Sequence, residues 1–93
     1  MNTTANSKFI SRLQKVIETL KENSFITATE LAKQTGIHRI SILHYVAWLM
    51  YYDIVDVKKV GNVKLIMIKD DYKDKFEKLK EDLSKKGILK ILV

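Results

Sequence analysis

Three groups of residues in this chain have side chains that could do chemistry: a hydroxyl with an imidazole, a pair of histidines, and a set of lysines. Ser41 and His44 are three residues apart, so on a helix they lie within about one turn of each other. Asp53 or Asp56 is the acid that a nucleophilic triad would add. Such a triad also needs an oxyanion hole and a pocket. The only glycines are Gly36, Gly61 and Gly87, and they form neither a nucleophile turn nor a phosphate-cradling loop. The chain is therefore not expected to be an enzyme. His38 and His44, six residues apart, fall well apart around a helix and have no cysteine or carboxylate cluster to complete four zinc ligands. No metal or other cofactor is expected.

The lysines are more telling. Lys58, Lys59 and Lys64 bracket Gly61-Asn62, and Lys8, Arg12 and Lys15 recur at helical spacing. The formal charge is +6, from 17 Lys/Arg against 11 Asp/Glu, which favours a polyanionic partner such as nucleic acid or an acidic membrane surface. Residues 1 to 69 hold ten of the basic and five of the acidic residues, so most of the excess lies before the last segment.

These side chains need a scaffold, and 93 residues allow one domain. With 46% hydrophobic and 30% charged residues the balance is that of a globular chain. Cysteine is absent, so disulfides, thiolate zinc sites and cysteine nucleophiles are excluded, as suits a reducing cytoplasm. The longest apolar run, Tyr45 to Tyr52, is far shorter than the roughly 18 residues of a spanning helix. The polar start has no signal-peptide layout. A cytoplasmic protein with no membrane partner is expected.

Phe9, Ile10, Leu13, Val16, Ile17 and Leu20 share one helical face, which predicts a first helix over 7–23 with Asn6 or Ser7 as its cap. Phe25 and Ile26 form a short apolar link suited to a single strand pairing. Thr27-Ala28-Thr29-Glu30 has the form of a capping box and opens a second helix over 27–34, closed by a left-handed turn at Gly36. A third helix over 38–52 has His38 near its cap and Ile42, Tyr45, Val46 and Leu49 inward. The period then changes to two, and a hairpin over 54–68 turns at Gly61-Asn62, a pair suited to a type II′ turn. A last helix over 71–86 carries Tyr72, Phe76, Leu79 and Leu83 at 4, 3, 4 spacing. Gly87 stops it and leaves the apolar tail Ile88 to Val93. The fold class is mainly α with a small β-hairpin, α+β.

From Thr27 to Lys69 the sequence resembles the winged helix-turn-helix proteins. Glu30 to Ile37 resembles their second helix and turn, with Ala32 small for close packing and Gly36 in the turn. Ile42, Val46 and Leu49 match the core positions of their third helix, Ile54 to Ile68 resembles the wing, and Asp53 stands where many members have glycine. The cysteine-free, lysine-rich composition and the added C-terminal helix resemble the small regulators of archaea and their viruses. The resemblance implies a DNA-binding regulator of transcription, resident in the host cytoplasm if viral, often paired through its terminal helices.

A duplex major groove admits one helix, and helix 3 leaves Arg39, Ile40, Leu43, His44 and Ala47 off its core face. Arg39 suits guanine or phosphate, His44 phosphate or a base edge, the apolar residues thymine methyls, and Ser41 a nearby hydrogen bond. Lys58, Lys59 and Lys64, with Asn62 at the tip, suit a phosphate backbone or a minor groove. A homodimer built from helix 1, the last helix and the tail would place two recognition helices about one turn of DNA apart. Alternatives stand beside this reading. Ile40 and Leu43 suit a protein surface as well as DNA, which would make the domain a protein-interaction module. The lysines suit protection of a sheet edge or non-specific, chromatin-like binding. The aromatics Tyr45, Trp48, Tyr51 and Tyr52 suit core or dimer contacts better than a small-molecule site.

Overall fold

The computed structural model describes residues 3–23 and 25–85, with side chains described over 7–23 and 25–83. They form a small α+β unit in the order α1 (Thr3–Glu22), α2 (Ala28–Thr35), α3 (Arg39–Tyr51), β1 (Val55–Val60), β2 (Val63–Ile68) and α4 (Tyr72–Lys85). That order is compatible with a winged-helix topology.

Helix α1 buries Leu13, Val16, Ile17 and Leu20 along one stripe, as the spacing predicts. It starts at Thr3, earlier than expected, so Asn6 and Ser7 lie inside the helix and do not cap it. Asn23 closes its other end: the side-chain amide donates to the Thr19 carbonyl at 2.7 Å and to Gln34 Oε1 at 3.2 Å. One side chain thus satisfies an orphaned helix carbonyl and ties α1 to α2.

Helix α2 begins where its capping sequence stands. Thr27 Oγ1 accepts from the Glu30 backbone N–H at 3.1 Å. The Glu30 carboxylate accepts from Gln34 Nε2, one turn along. Gly36 ends the helix at φ +75°, in the left-handed region that glycine enters without steric cost. The buried Thr35 hydroxyl donates to the Leu31 carbonyl and accepts from the Ile37 N–H, which stiffens the turn into α3.

Helix α3 is capped by His38, whose Nδ1 accepts from the Ile40 N–H at 3.2 Å. Ile42, Tyr45, Val46 and Leu49 face the core. Asp53 follows with φ +60°, where glycine would be the easy residue. Its carboxylate is held by Lys69 and by Lys75, the latter at 2.8 Å, and Lys75 also pairs with Asp71 at 2.9 Å. The side-chain hydrogen bonds from Lys69 and Lys75 hold the Asp53 carboxyl down to about 2.

The two strands pair antiparallel, with Val55 opposite Ile68 and Val60 opposite Val63. Gly61 at φ +64° is the only left-handed residue of the turn, as the expected type II′ geometry requires. Ile26 forms a bridge to Ile66, with N···O distances of 3.2 and 2.8 Å, so the short apolar link does act as a single strand pairing.

Helix α4 corrects the sequence reading of its seam. Phe76, Leu79 and Leu83 are buried within the chain's own core, beside α1, so the seam asks for no second copy. Among the described side chains, ion pairs on α4 join Lys75 to Asp71 and Lys80 to Glu77. Asp82 instead accepts from the Tyr52 hydroxyl at 2.6 Å. Burial and that carboxylate push the Tyr52 phenol above its ordinary range. The helix stop at Gly87 and the tail Ile88 to Val93 lie outside the described residues.

Candidate nucleic-acid interface

The interface starts from how α3 divides its sides. One side is in the core. The next carries Arg39, Leu43, Ala47 and Met50, which recur at spacings of 3 and 4 and form one wall of an open groove of about 850 Å³. Residues Thr27, Ala28 and Thr29, at the start of α2, lie at one edge of it. The opposite wall is the inner face of the hairpin: Val57 and Ile66 deeper in, Lys59 and Lys64 further out, with Asn62 and Val63 at the tip. Among the described residues no acidic one lines the groove.

Strand register decides which lysines meet. Lys59 lies directly opposite Lys64, whereas Lys58 lies opposite Leu65. Successive residues of a strand point to opposite faces, so Lys58 is on the outer face of the hairpin and away from the groove. The three lysines that bracket the turn are therefore a facing pair and a separate third. Among the described residues Arg39, Lys58, Lys59 and Lys64 form no ion pair, while Lys69 and Lys75 are held by Asp53. Of these unpaired cations Arg39, Lys59 and Lys64 line the groove, and the neutralised charge braces the junction behind it.

Every residue expected to read bases is accounted for in this geometry. Arg39, Ile40, Leu43, His44 and Ala47 are all exposed, with Ile40 at 60% and Leu43 at 44%, so neither of these two is buried by the described residues. Of the exposed set, Arg39, Leu43 and Ala47 line the groove, and Ile40 and His44 do not. Ser41 is half-buried on the α1 side of α3, next to Phe9, His44 and Trp48. Met50, 48% exposed on the groove wall, was hidden within an unbroken apolar run. Its signal was the spacing from Leu43 and Ala47. Thr27 and Thr29 were seen as capping residues only, although the cap also sets them at the groove edge.

The aromatics have mixed fates. Tyr45 is buried, and Trp48 and Tyr52 are half-buried and stacked at 6.2 Å between ring centroids. Phe9 reaches both Tyr45 and Trp48, at 5.6 and 5.4 Å. Tyr51 is 80% exposed. Asp53 stands twelve residues beyond Ser41, near the opposite end of α3, where lysines occupy its carboxylate. Among the described residues no cluster of three His, Cys, Asp or Glu could hold a metal ion. No described helix is long and apolar enough to cross a membrane. Comparison with protein-family models and with curated proteins gives no match to this sequence.

Proposed function

We propose that this chain is a winged helix-turn-helix protein that binds double-stranded DNA and regulates transcription. Helix α3 enters the major groove, and the paired lysines of the hairpin lie along the adjoining backbone or in a minor groove. The observation that carries the reading is the acid-free groove between an exposed α3 face and the Lys59–Lys64 pair. Unpaired cations beside a helix face free of core duty fit a partner with regularly spaced phosphates and a groove one helix wide. Arg39 is the residue suited to guanine or phosphate. Ile40, Leu43, Ala47 and Met50 suit thymine methyl groups. The start of α2, at the positive end of that helix, suits a phosphate.

Fluorescence anisotropy tests this with a random duplex and with the DNA upstream of the chain's own reading frame, each at two salt concentrations. Binding to the upstream duplex that survives random competitor supports a regulator. Equal and steeply salt-dependent binding to both duplexes identifies a backbone-reading, chromatin-like protein. Absence of binding at low salt removes the proposal. It would favour a protein-interaction module, a reading supported by the exposed Ile40, Leu43, Met50 and Tyr51. A homodimer would use surfaces other than the α4 seam, which is closed within one chain. Sedimentation at micromolar concentration giving twice the mass of 10.8 kDa supports the pair, and the single mass removes it.

A further inference from the structure

A second set of cations lies on the other side of α3, where the reading above makes no use of it. A pocket of about 400 Å³ opens between α1 and the turn that joins α2 to α3. Arg12 and Lys15 border it from α1, His38 from the turn, and Ser11 and Ser41 add a hydroxyl from each side. Among the described residues no acidic one lines it. Neither Arg12 nor Lys15 forms an ion pair among the described residues, and the nearby Glu18 is paired with Lys21.

The donors are partly set in place. Arg12 Nη1 donates to the Tyr45 hydroxyl at 3.3 Å, which anchors the guanidinium against α3 and leaves its other N–H groups free. His38 Nδ1 accepts from the Ile40 N–H, so a neutral imidazole carries its proton on Nε2 and donates from there. Thr35, also at the pocket, has its hydroxyl engaged by the Leu31 carbonyl and the Ile37 N–H. What remains is a guanidinium, an ammonium, an imidazole N–H and two hydroxyls around one opening. That set matches an oxyanion with several acceptor oxygens, which is the chemistry of a phosphodiester.

Position narrows the source. Ser41 and Leu43 are two residues apart on α3, hence about 200° apart around its axis, and the pocket and the wing-side groove share no lining residue. The two cation sets thus flank α3 from opposite sides, one on α1 and the turn and the other on the far wall of the wing-side groove. A helix seated in a major groove has one phosphate row on each side of it. We infer that the Arg12, Lys15 and His38 pocket holds a backbone phosphate of the DNA strand opposite the one met by the Lys59–Lys64 pair. This inference rests on the duplex-binding reading and adds to it a second strand contact, made by α1.

The test compares the full chain with Arg12→Gln/Lys15→Gln, with Lys15→Gln alone, and with Lys33→Gln, an exposed α2 residue that lines neither opening. Each is followed by anisotropy over a salt series and by phosphate-ethylation interference on both strands. The double variant should flatten the salt slope by about 1 and Lys15→Gln by a fraction of that, with equal loss on upstream and random duplexes. Interference should vanish at phosphates of one strand only, and Lys33→Gln should match the parent. Lys15→Gln keeps the test decisive if loss of the Arg12–Tyr45 bond unfolds the double variant. A parent that binds DNA while both pocket variants keep its slope and interference pattern overturns this inference alone. A parent that binds no duplex overturns it together with the reading beneath it. Inorganic phosphate shifting the Gly36 and Ser41 amides, with the variants' footprints unaltered, assigns the pocket to free phosphate and overturns the duplex contact.

Discussion

Replacing Lys59 and Lys64 together by glutamine should move stability and DNA affinity in opposite directions. Val60 and Val63 close a two-residue turn, so the neighbouring pair Lys59–Lys64 occupies the position where cross-strand side chains approach most closely, with Cβ atoms about 4.5–5.5 Å apart. Like charges there oppose folding, and neither ammonium has a carboxylate partner among the described residues. Removing both should raise the melting temperature by about 1 to a few degrees, as expected for relief of one like-charge cross-strand pair in a small domain. If each lysine neutralises one phosphate, each contributes a factor of about 8 at 0.1 M salt and about 4 at 0.2 M, from a slope of roughly 0.9 per phosphate. The double variant should therefore bind about 60-fold more weakly at 0.1 M and about 20-fold at 0.2 M. Anisotropy titration gives the affinities and circular dichroism the melting curve. A higher melting temperature with unchanged affinity and slope would refute the reasoning. It would leave the lysines as guards of a sheet edge.

Three further outcomes follow from the packing. Leu79→Ala, at a fully buried seam position, should cost about 2–5 kcal/mol and lower the melting temperature by about 10 °C or more, independently of protein concentration. A concentration-dependent loss would instead place the seam between two copies. Gly36→Ala meets nothing within 4 Å but must adopt φ +75°, so it should cost about 1–2 kcal/mol in thermal melts, and Gly36→Asn less. Equal stability of the two would contradict the left-handed cap. Asp53 is depressed from 3.8 to about 2, so its pairs with Lys69 and Lys75 stabilise the fold fully above about pH 4 and are lost as pH falls through about 2. Melting curves from pH 6 to 2 should show Asp53→Asn losing less over that window than the parent. Parallel curves would count against the pairing.

The elements were legible because their signals are local. A Thr-x-x-Glu cap, a glycine after a short helix, and a change of period from 3.6 to 2 each depend on a few neighbouring residues. Boundaries were less legible. The start of α1 at Thr3 was ambiguous in the sequence because Asn2, Asn6 and Ser7 are all residue types that cap helices. The groove was legible by halves. Arg39 and Leu43 are set on one side of α3 by helical spacing, but Lys58 was placed with the wrong neighbours because a one-residue choice of face needs the strand register. The α4 seam was read as unpartnered because a narrow apolar stripe looks the same whether α1 of the same chain or a second chain covers it. The Arg12, Lys15 and His38 pocket joins residues more than twenty positions apart, which only the packing of α1 against the turn brings together.

The composition of the α3 face constrains how much sequence discrimination one copy can supply. Arg39 is the one side chain there with a fork able to pair two acceptors on guanine, and such a pair discriminates by about 1–3 kcal/mol. Ile40, Leu43, Ala47 and Met50 offer only methyl contacts, which carry no hydrogen-bond pattern. A single copy therefore separates its site from random DNA by roughly 10- to 100-fold through Arg39, well short of the 10³-fold or more typical of specific regulators. Phosphate contacts from Lys59, Lys64, Arg12 and Lys15 raise affinity for every sequence alike and leave that ratio unchanged. Selectivity at the level of a regulator then requires either sequence-dependent deformation of the duplex or two copies on one site, whose discrimination energies add. A footprint with two-fold symmetry would identify the second route. An asymmetric footprint on narrow-grooved A·T tracts would identify the first, with the Lys59–Lys64 pair as the element that senses groove width.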